Sequence, residues 1–365
     1  MAPRRLRVML LFGGRSAEHD VSRVTAVAVA KALDPARYEV VPVGITVDGR
    51  WVLAADAQAM LESGRDALPA AFAVEGDAVM PPTEPGRGEV LLANGASSFG
   101  VDVVLPMLHG PYGEDGTVQG LLELAGLPYV GSGVLGSAVG MDKVMMKRAF
   151  ASVGLPIAPY LALRDGHDVP GFVDAVATEL GYPCFVKPSN MGSSVGVSLA
   201  HDASELTAAI ARAFEFDEWI VAEAMVPGRE IEVAVLGDDP PEASLPGEIV
   251  PGAEFYDYDD KYRDGTAKLL APAPLDNAET DTVRYLAVAA FESCRCEAMA
   301  RVDFFYGEHG FVVNELNTIP GFTPISMYPR LWEVSGIPYA ALLDRLIELA
   351  IARHARRARR GGRQR

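Results

Sequence analysis

The sequence predicts a mixed α/β (α+β) fold with two or three domains that share an active cleft. At 365 residues the chain is longer than a typical single domain. Strand-like and helix-like patterns alternate near its start, which is typical of an open parallel sheet. Near its other end, residues 300–323 have the pattern of two short strands whose polar side chains share one face.

The first segment begins with the strand LRVMLLFGG, followed by an apolar-periodic helix over Val21 to Leu33. Two further strands, YEVVPVGI and VDVVLPML, complete the predicted open parallel sheet. Residues 62–98 are rich in Gly, Pro, Ala and Glu with weak periodicity, so we expect a surface excursion there. One helix follows GEDGT, and another is predicted from about Leu135 to Ala151.

The middle segment predicts strands at CFVKP, VGVSLA and WIVAEAM, with a helix at Ser204 to Phe214. The last segment opens at about Arg229 with the strand IEVAVLG. It continues through a Gly, Pro, Tyr and Asp-rich loop at 251–268 and a helix from about Ala278 to Met299. After the strand pair, a C-terminal helix is predicted from Tyr339 to Ala355.

The strand pair of residues 300–323 brings four polar side chains to one face. Because side chains alternate along a strand, Arg301 and Asp303 share a face. Glu315 and Asn317 have the same spacing on the second strand, and GEHG supplies glycines for the turn. The predicted packing residues are Val302, Phe304, Phe311, Val313 and Leu316.

Two carboxylates, a carboxamide and a guanidinium therefore converge on this face. Oxygen ligands of this kind are what Mg²⁺ prefers, with phosphates completing its shell. The arginine could stabilise negative charge that develops beside the metal. The alternative is a solvated hairpin face with cross-strand ion pairs.

Composition and charge exclude several classes of protein. Hydrophobic residues at 49% and charged residues at 22% argue against a disordered or fibrous chain. The net charge of −17 argues against general nucleic-acid binding. There is no run of about 18 apolar residues and no cleavage site near the N-terminus, so we expect a soluble, non-exported protein. Cys184, Cys294 and Cys296 are expected to be free thiols in a reducing cytosol.

The end of the chain carries dense positive charge, with seven arginines in residues 353–365. Such a terminal run is usually solvated and disordered, so we expect a basic tail from about residue 353. Contact with RNA or a membrane is the alternative.

The loop SNMGSSVG, residues 189–196, lies between two strands, and Lys187 is at the end of the strand before it. Backbone N–H groups of such a loop can wrap phosphate oxygens, and the lysine adds positive charge. The glycine spacing is not that of a P-loop, and no helix opens behind it. The alternative is an ordinary turn, but an ammonium in an apolar strand needs a partner.

Residues 11–22, LFGGRSAEHDVS, predict a strand, a tight glycine turn and a helix start. Free N–H groups at such a sheet edge bind anions, whereas Glu18 would attract a cation, so a zwitterion suits both. The alternative is a carboxylate that caps the helix.

Two further polar segments fall near the same cleft. His109 in HGPYGEDGT follows a strand, so a substrate or proton-transfer role competes with a structural one. EFYDYDDKY, residues 254–262, is polar, and its three tyrosines could close over the site as a lid. An ordinary surface loop is the alternative.

Taken in order, GGRSAEHDVS, HGPYGEDGTVQGLLELAGLPYVGSG, MDKVMMK, FVKPSNMGSSVG, GREIEVAVLG, EFYDYDDKY, ARVDFF and NELNTIPGFT resemble the D-alanine-D-alanine ligases of the ATP-grasp superfamily. The resemblance runs from about residue 6 to 350. It implies a three-domain ATP-grasp architecture: an N-terminal substrate-binding domain (1–138), a central domain (139–228) and a C-terminal metal-binding domain (229–365). ATP would lie between the last two.

The resemblance also implies roles for residues that match the family's motifs. Lys143, Lys187 and Ser194 would bind the phosphates, and Glu230 the ribose. Asp303, Glu315 and Asn317 would be the magnesium ligands, in agreement with the strand-face argument. The adenine edge would be Glu223, Ala224 and Val226.

For the D-alanines, the resemblance makes Glu18 the ligand of the first ammonium, linked through Ser193 to the lid residue Tyr262. Lys261 would reach the transferred phosphate. Arg301 and Gly321 would stabilise the oxyanion. The other substrate contacts would be Val21, His109, Ser326 and Met327.

The implied reaction joins two D-alanines through a D-alanyl phosphate, with ADP and phosphate released. Positioning and charge neutralisation suffice for such a transfer, so two Mg²⁺ ions together with Lys187 and Arg301 are sufficient without a covalent enzyme intermediate. Mn²⁺ could replace Mg²⁺. Tyr262 favours D-alanine over D-lactate or D-serine as second substrate, because the lactate-using relatives would have phenylalanine or a different loop there. His109 and substrate phosphate both stay candidates for the proton acceptor.

The resemblance further implies a cytoplasmic homodimer that serves cell-wall precursor synthesis, without nucleic-acid or membrane partners. Another ATP-dependent carboxylate-amine ligase is the nearest alternative. A catalytically silent nucleotide-binding protein is less suitable, because Lys187, Asp303, Glu315 and Asn317 are all present. A dinucleotide-binding oxidoreductase fails because GGRSAE is not G-x-G-x-x-G.

Overall fold

The structure is a computed structural model that describes residues 4–63, 70–80, 89–92, 98–250 and 268–361. The predicted lid EFYDYDDKY, with Lys261 and Tyr262, lies outside the described residues. The described chain contains three β-sheets that follow one another along the sequence.

The first sheet combines parallel and antiparallel strands in the order β6-β5-β4-β3-β2-β1-β7. The parallel pairing predicted from the alternating pattern is confirmed for β1, which lies between β2 and β7. The strands β3 to β6 extend the sheet by antiparallel pairing. The elements are β1 Leu6–Gly13, α1 His19–Ala32, β2 Tyr38–Ile45, β3 Trp51–Leu53, α2 Ala55–Ser63, β4 Asp77–Met80, β5 Glu89–Leu92, β6 Ser98–Gly100, β7 Val103–Pro106 and α3 Thr117–Leu124.

The predicted single helix from Leu135 to Ala151 is wrong, because two helices occupy this stretch. They are α4 Val134–Met141 and α5 Lys143–Ser152. Asp142 separates them with an extended backbone, and its side chain accepts a hydrogen bond from Met145 N over 2.8 Å. A capping aspartate within an apolar pattern therefore starts a new helix at Lys143.

The second sheet is antiparallel throughout, in the order β10-β9-β11-β8. Its buried face packs on two helices and includes Cys184, Val186 and Ile220. The elements are β8 Tyr160–Arg164, α6 Val169–Glu179, β9 Cys184–Pro188, β10 Ser198–Ala200, α7 Ala203–Ala213 and β11 Trp219–Ala224.

The third sheet follows the order β15-β14-β12-β16-β17, and β13 also pairs with β12. The helix predicted to reach Met299 ends earlier, at Ser293, because β16 begins at Ala298. The elements are β12 Arg229–Gly237, β13 Glu242–Ala243, β14 Gly247–Val250, β15 Lys268–Leu270, α8 Asn277–Ser293, β16 Ala298–Gly307, β17 Gly310–Asn317, α9 Met327–Val334 and α10 Tyr339–Gly361.

The expected disordered basic tail is wrong for residues 353–361, which continue α10. Arg353 is only 3% exposed and donates hydrogen bonds to the carbonyl oxygens of Tyr129 and Gly131. Arg357 forms an ion pair with Glu297 at 2.9 Å. The arginines therefore bind backbone carbonyls that follow the first sheet and the Glu297 carboxylate that precedes β16. One apolar cluster also joins β1 and α1 to α9 and α10.

All three cysteines are free thiols, as predicted, and all three are buried. Among the helices that the structure describes, none has both the length and the apolar character needed to cross a bilayer.

Candidate active site

The polar face of β16 and β17 is the centre of the site. The two strands are antiparallel, with Arg301 opposite Asn317 and Asp303 opposite Glu315, so the shared face predicted from alternation is confirmed. Arg301 donates from Nε and Nη2 to the two oxygens of Asp303, each over 2.7 Å. Asn317 Nδ2 donates to the same carboxylate over 3.0 Å. Val302 and Phe304 are buried on the opposite face.

A β-bulge brings a fifth side chain to this face. Val313 and Leu316 are both buried although they are three residues apart, because the pairing register shifts between Asp303 and Phe304. The extra residue, Asn314, has its Oδ1 3.4 Å from Lys187 Nζ. Asn314 was not among the residues predicted from the sequence, although the three-residue spacing of Val313 and Leu316 is a signal for a bulge.

Acidic partners on two strands hold Arg301 in its charged form. Its Nε lies 3.2 Å from Glu232 Oε2 on β12, in addition to the two contacts with Asp303. Burial opposes the charge, but the Asp303 and Glu232 carboxylates raise the pKa of Arg301 well above its ordinary value. Glu232, which the sequence analysis also missed, thus contributes to a rigid cationic centre.

The donor set of the hairpin suits a hard cation. Asp303, Glu315 and Asn317 offer two carboxylates and a carboxamide, and Mg²⁺ typically takes one or two carboxylates plus substrate phosphates. Within the described residues, no group of three or more His, Cys, Asp or Glu side chains could hold a metal ion by itself. The residues therefore fit a magnesium ion that arrives with a nucleotide rather than an all-protein metal cage.

Two lysines share one buried carboxylate beside the hairpin. Lys187 Nζ donates to Glu223 Oε2 over 2.9 Å, and Lys147 Nζ lies 3.1 Å from Glu223 Oε1. Burial by itself would raise the pKa of Glu223, but Lys187 and Lys147 lower it to about 2. Glu223 is therefore the partner that the buried Lys187 ammonium was expected to have. Lys147, which was not among the residues predicted from the sequence, is a second lysine on the same carboxylate.

Lys143 lies at the start of α5, where the break at Asp142 directs it toward the loop of residues 189–196. Its Nζ donates to Met191 O over 2.6 Å and lies 3.9 Å from Glu315 Oε2. Asn190, in the same loop, donates its backbone N–H to Asp217 over 2.6 Å. These contacts anchor the loop at Asn190 and Met191, directly before Gly192 and the two serines.

The serines of this loop have an uncommon backbone conformation. Ser193 and Ser194 have φ values of 50° and 59°, in the left-handed region that non-glycine residues seldom adopt. Such strain persists only where the surroundings hold it. Ser193 Oγ donates to Glu18 Oε1 over 2.5 Å, which connects the loop to the first segment of the chain.

Glu18 is positioned by the turn between β1 and α1. Gly13 makes this turn with φ 86°, and a Cβ atom there would lie 2.3 Å from Ile45 O, so glycine is required. Glu18 occupies the N-cap of α1, but its side chain makes no capping hydrogen bond. This geometry disfavours the capping alternative, since the carboxylate contacts Ser193 instead.

His109 and Glu114 connect the first segment to the loop after β17. His109 Nδ1 lies 3.0 Å from Ile319 O, so Nδ1 carries a hydrogen that it donates to this carbonyl. Glu114 accepts from the backbone N–H of Gly110 over 2.8 Å and of Ile319 over 3.0 Å. Burial, and to a smaller extent the charge of Glu18, raises the pKa of Glu114 to about 8, although the two N–H donors act to lower this pKa. Glu114 was not among the residues predicted from the sequence.

Two cavities meet along this arrangement, with volumes of about 230 Å³ and about 670 Å³. Both are lined by Gly192, Ser193, Glu232, Arg301 and Glu315. Every predicted site residue within the described ranges lines one cavity or the other. The first cavity contains Lys143, Lys187, Ser193, Ser194, Glu223, Ala224, Val226, Glu230, Arg301, Asp303 and Glu315. The second contains Glu18, Val21, His109, Ser193, Arg301, Glu315, Asn317, Gly321, Ser326 and Met327.

The shared border determines what the arrangement can do chemically. A polyanion in the lysine-lined cavity would meet a small polar molecule in the second cavity at Arg301 and Glu315. Ser326 Oγ, in the second cavity, accepts from Thr323 N over 3.1 Å. The geometry therefore suits transfer of a phosphoryl group between two substrates.

Comparisons with known proteins identify a family for this chain. Two family models, described as D-ala D-ala ligase N-terminus and C-terminus, match residues 7–132 and 149–348. The D-alanine–D-alanine ligase of Geobacillus kaustophilus is 46% identical over 95% of each chain. The solved structure of the D-alanine-D-alanine ligase from Coxiella burnetii aligns with a TM-score of 0.85 at 36% identity, covering 97% of this chain and 96% of that one. The VanG D-Ala:D-Ser ligase from Enterococcus faecalis aligns with a TM-score of 0.83 at 32% identity, covering 95% and 100%.

Proposed function

This chain belongs to the D-alanine–D-alanine ligase family, and we propose that it joins two D-alanines in an ATP-dependent reaction that releases ADP and phosphate. The observation that carries the proposal is the meeting of the two cavities at Arg301, Glu315 and Ser193. A nucleotide in one cavity would have its terminal phosphate next to a carboxylate substrate in the other.

The lysine-lined cavity is proposed to bind ATP. Lys143 and Lys187 would contact its phosphates together with Ser194, and Glu230 would contact the ribose. The adenine edge would be formed by Glu223, Ala224 and Val226, which line the same cavity. Lys261 is proposed to reach the transferred phosphate, on sequence grounds alone.

Asp303, Glu315 and Asn317 are proposed to hold the magnesium that accompanies ATP, and the resemblance implies two ions. When bound, magnesium neutralises phosphate charge during the transfer. The protein's own contribution on this face is Arg301, whose guanidinium is kept charged and fixed by Asp303 and Glu232.

The larger cavity is proposed to bind both D-alanines. Glu18 would pair with the ammonium of the first D-alanine, while Ser193 holds the Glu18 carboxylate in place. The carboxylate oxygen of the first D-alanine attacks the γ-phosphorus, the bond to the bridging oxygen breaks, and ADP leaves. Arg301 and the backbone N–H of Gly321 would stabilise the charge on the acyl oxygen. Val21 and His109 would line this first subsite.

The second D-alanine is proposed to lie near Ser326 and Met327. Its neutral amine attacks the acyl carbon of the D-alanyl phosphate, and the acyl carbon–oxygen bond breaks to release phosphate. The amine proton goes either to His109 Nε2, which is buried without a hydrogen-bond partner among the described residues, or to the departing phosphate.

D-alanine is proposed as both substrates because Tyr262 is retained. D-serine is the alternative second substrate, since a structural relative bears that description. D-lactate and another carboxylate-amine ligase activity are the remaining alternatives.

The test is phosphate release from Mg-ATP with D-alanine alone, with L-alanine, and with D-alanine plus D-serine or D-lactate, with products identified by mass. We expect turnover with D-alanine alone and a D-alanyl-D-alanine product. A depsipeptide or a D-alanyl-D-serine product formed in preference to the dipeptide would overturn the substrate assignment but retain the mechanism. No D-alanine-dependent turnover, with Mg-ATP still bound, would overturn the activity.

We also propose that the enzyme is a cytoplasmic homodimer whose product enters peptidoglycan precursors, with domains at 1–138, 139–228 and 229–365. Sedimentation velocity at micromolar concentration tests the dimer, because a 38.9 kDa species alone would contradict it.

A further inference from the structure

Lys147 is a buried charged residue that has no role in the proposed ligase mechanism. It lies on α5, one turn after Lys143, and its side chain is only 1% exposed. It does not line either cavity. A buried ammonium is costly unless it is paired, so its position needs a physical reason.

Its closest charged neighbour is Glu223. Lys147 Nζ lies 3.1 Å from Glu223 Oε1 without forming a hydrogen bond, so the contact is an ion pair. Lys187 takes the other oxygen, Oε2, over 2.9 Å. The same carboxylate therefore has a lysine on each side, one behind the cavity wall and one at the cavity surface.

The two lysines differ in what else they can reach. Lys187 is 14% exposed, lines the lysine-lined cavity and also contacts Asn314 Oδ1 at 3.4 Å. Its charge is also influenced by Glu315 and Glu230. Lys147 instead lies 5.7 Å from the Tyr160 ring centroid and is enclosed. Only Lys187 is placed to exchange Glu223 for a phosphate.

That exchange has a cost unless Glu223 keeps a counter-ion. Glu223 is 4% exposed, and an unpaired carboxylate in such a site is strongly destabilising. We propose that Lys147 is the resident counter-ion of Glu223, which lets Lys187 leave Glu223 and contact the phosphates of the bound nucleotide. Lys147 is thus a positioning residue for ATP binding, and this inference rests on the proposed function.

The test is a double-mutant cycle on Mg-ATP affinity, measured by calorimetry without D-alanine. Lys147→Met should weaken Mg-ATP binding about tenfold or more, because Lys187 then stays on Glu223. In the Glu223→Gln background the same change should weaken binding less than about twofold, because no carboxylate is left to hold Lys187. An equal loss in both backgrounds would overturn the proposal and assign Lys147 a packing role.

A second background locates the effect at Lys187. In Lys187→Met, the additional Lys147→Met change should again cost less than about twofold, and a full tenfold loss there would contradict the exchange. Arg148→Met is the matched control, since Arg148 is the exposed neighbour on the same helix, and it should leave the affinity unchanged. Lys147→Arg should restore most of the binding.

Folding of each variant is checked by its thermal midpoint, and Lys147→Gln replaces Lys147→Met in both cycles if the latter does not fold. Because the readout is nucleotide binding, its outcome is separate from that of the D-alanine turnover assay. Wild-type protein that binds Mg-ATP but does not turn over D-alanine would overturn the proposed function and leave the lysine exchange standing. Wild-type protein that does not bind Mg-ATP would overturn both.

Discussion

Ser193 donates its hydroxyl hydrogen to Glu18 across the larger cavity, over 2.5 Å. The two residues come from distant parts of the chain, and both have unusual local geometry. Ser193 has a left-handed backbone, and Glu18 is an N-cap residue without a capping bond. The contact therefore fixes a carboxylate at the proposed ammonium site and holds the loop of residues 189–196 over it.

Ser193→Ala should raise the KM for D-alanine by roughly tenfold or more, because a hydrogen bond to a charged group contributes about 1.5–3 kcal/mol. The KM for ATP should change less. Initial rates at saturating Mg-ATP measure the effect, with the exposed Ser204→Ala as the control. An unchanged KM for D-alanine would show that Ser193 does not support the ammonium site.

Asp303→Asn should lower kcat by about 100-fold or more and shift the magnesium dependence to higher concentration. The change removes a proposed ligand charge and one side of the bidentate pair with Arg301. Turnover titrated with Mg²⁺ at fixed ATP gives both quantities. The exposed Asp174→Asn serves as control, and an unaltered magnesium midpoint in Asp303→Asn would contradict the assignment.

Much of this site follows from local sequence, because a strand's alternation is a local property. The face shared by Arg301, Asp303, Glu315 and Asn317 needs only the period of two and an antiparallel partner. The glycine turn that positions Glu18 is also local, since Gly13 adopts a positive φ of 86° that glycine tolerates.

The residues that sequence analysis missed depend on contacts between distant segments. Glu114 accepts from the backbone N–H of Ile319, and Lys147 on α5 pairs with Glu223 on β11. Neither pairing has a local pattern. The α10 arginines show the same limitation, since a charge run predicts solvation unless its acceptors are known. Asp142 is different, because an aspartate directly before a helical pattern is a local N-cap signal, so the helix start at Lys143 was predictable from the sequence.

Glu114 should make stability depend on pH in a defined window. Its folded pKa of about 8 lies above its ordinary value of 4.5, so the folded state holds a proton that the unfolded state releases between these values. The contribution of Glu114 to the free energy of unfolding is therefore fully present below about pH 4.5. It is lost as the pH rises toward 8, by up to about 1.4 kcal/mol per pH unit.

Glu114→Gln removes this titration, at the cost of one backbone hydrogen bond. The variant should be less stable than wild type at pH 5.5, and the gap in thermal midpoint should narrow steadily up to pH 8. Thermal unfolding at four pH values from 5.5 to 8.5 measures the gap. A gap that stays constant over this range would mean that Glu114 does not titrate there.

Arg353→Met should destabilise the protein by about 3–5 kcal/mol, the typical loss when one partner of a buried ion pair is removed. Arg353 is 3% exposed, donates to Tyr129 O over 2.7 Å and to Gly131 O, and lies 3.2 Å from Glu297. Methionine fills similar volume but leaves those acceptors unpaired in the interior. Arg359→Met, on the exposed part of the same helix, removes equal charge and should change stability by less than about 0.5 kcal/mol. Denaturant unfolding of both variants compares them directly. Equal, small effects would mean that the arginine run is solvated, as its composition alone indicates, and that α10 does not connect the first segment to the third.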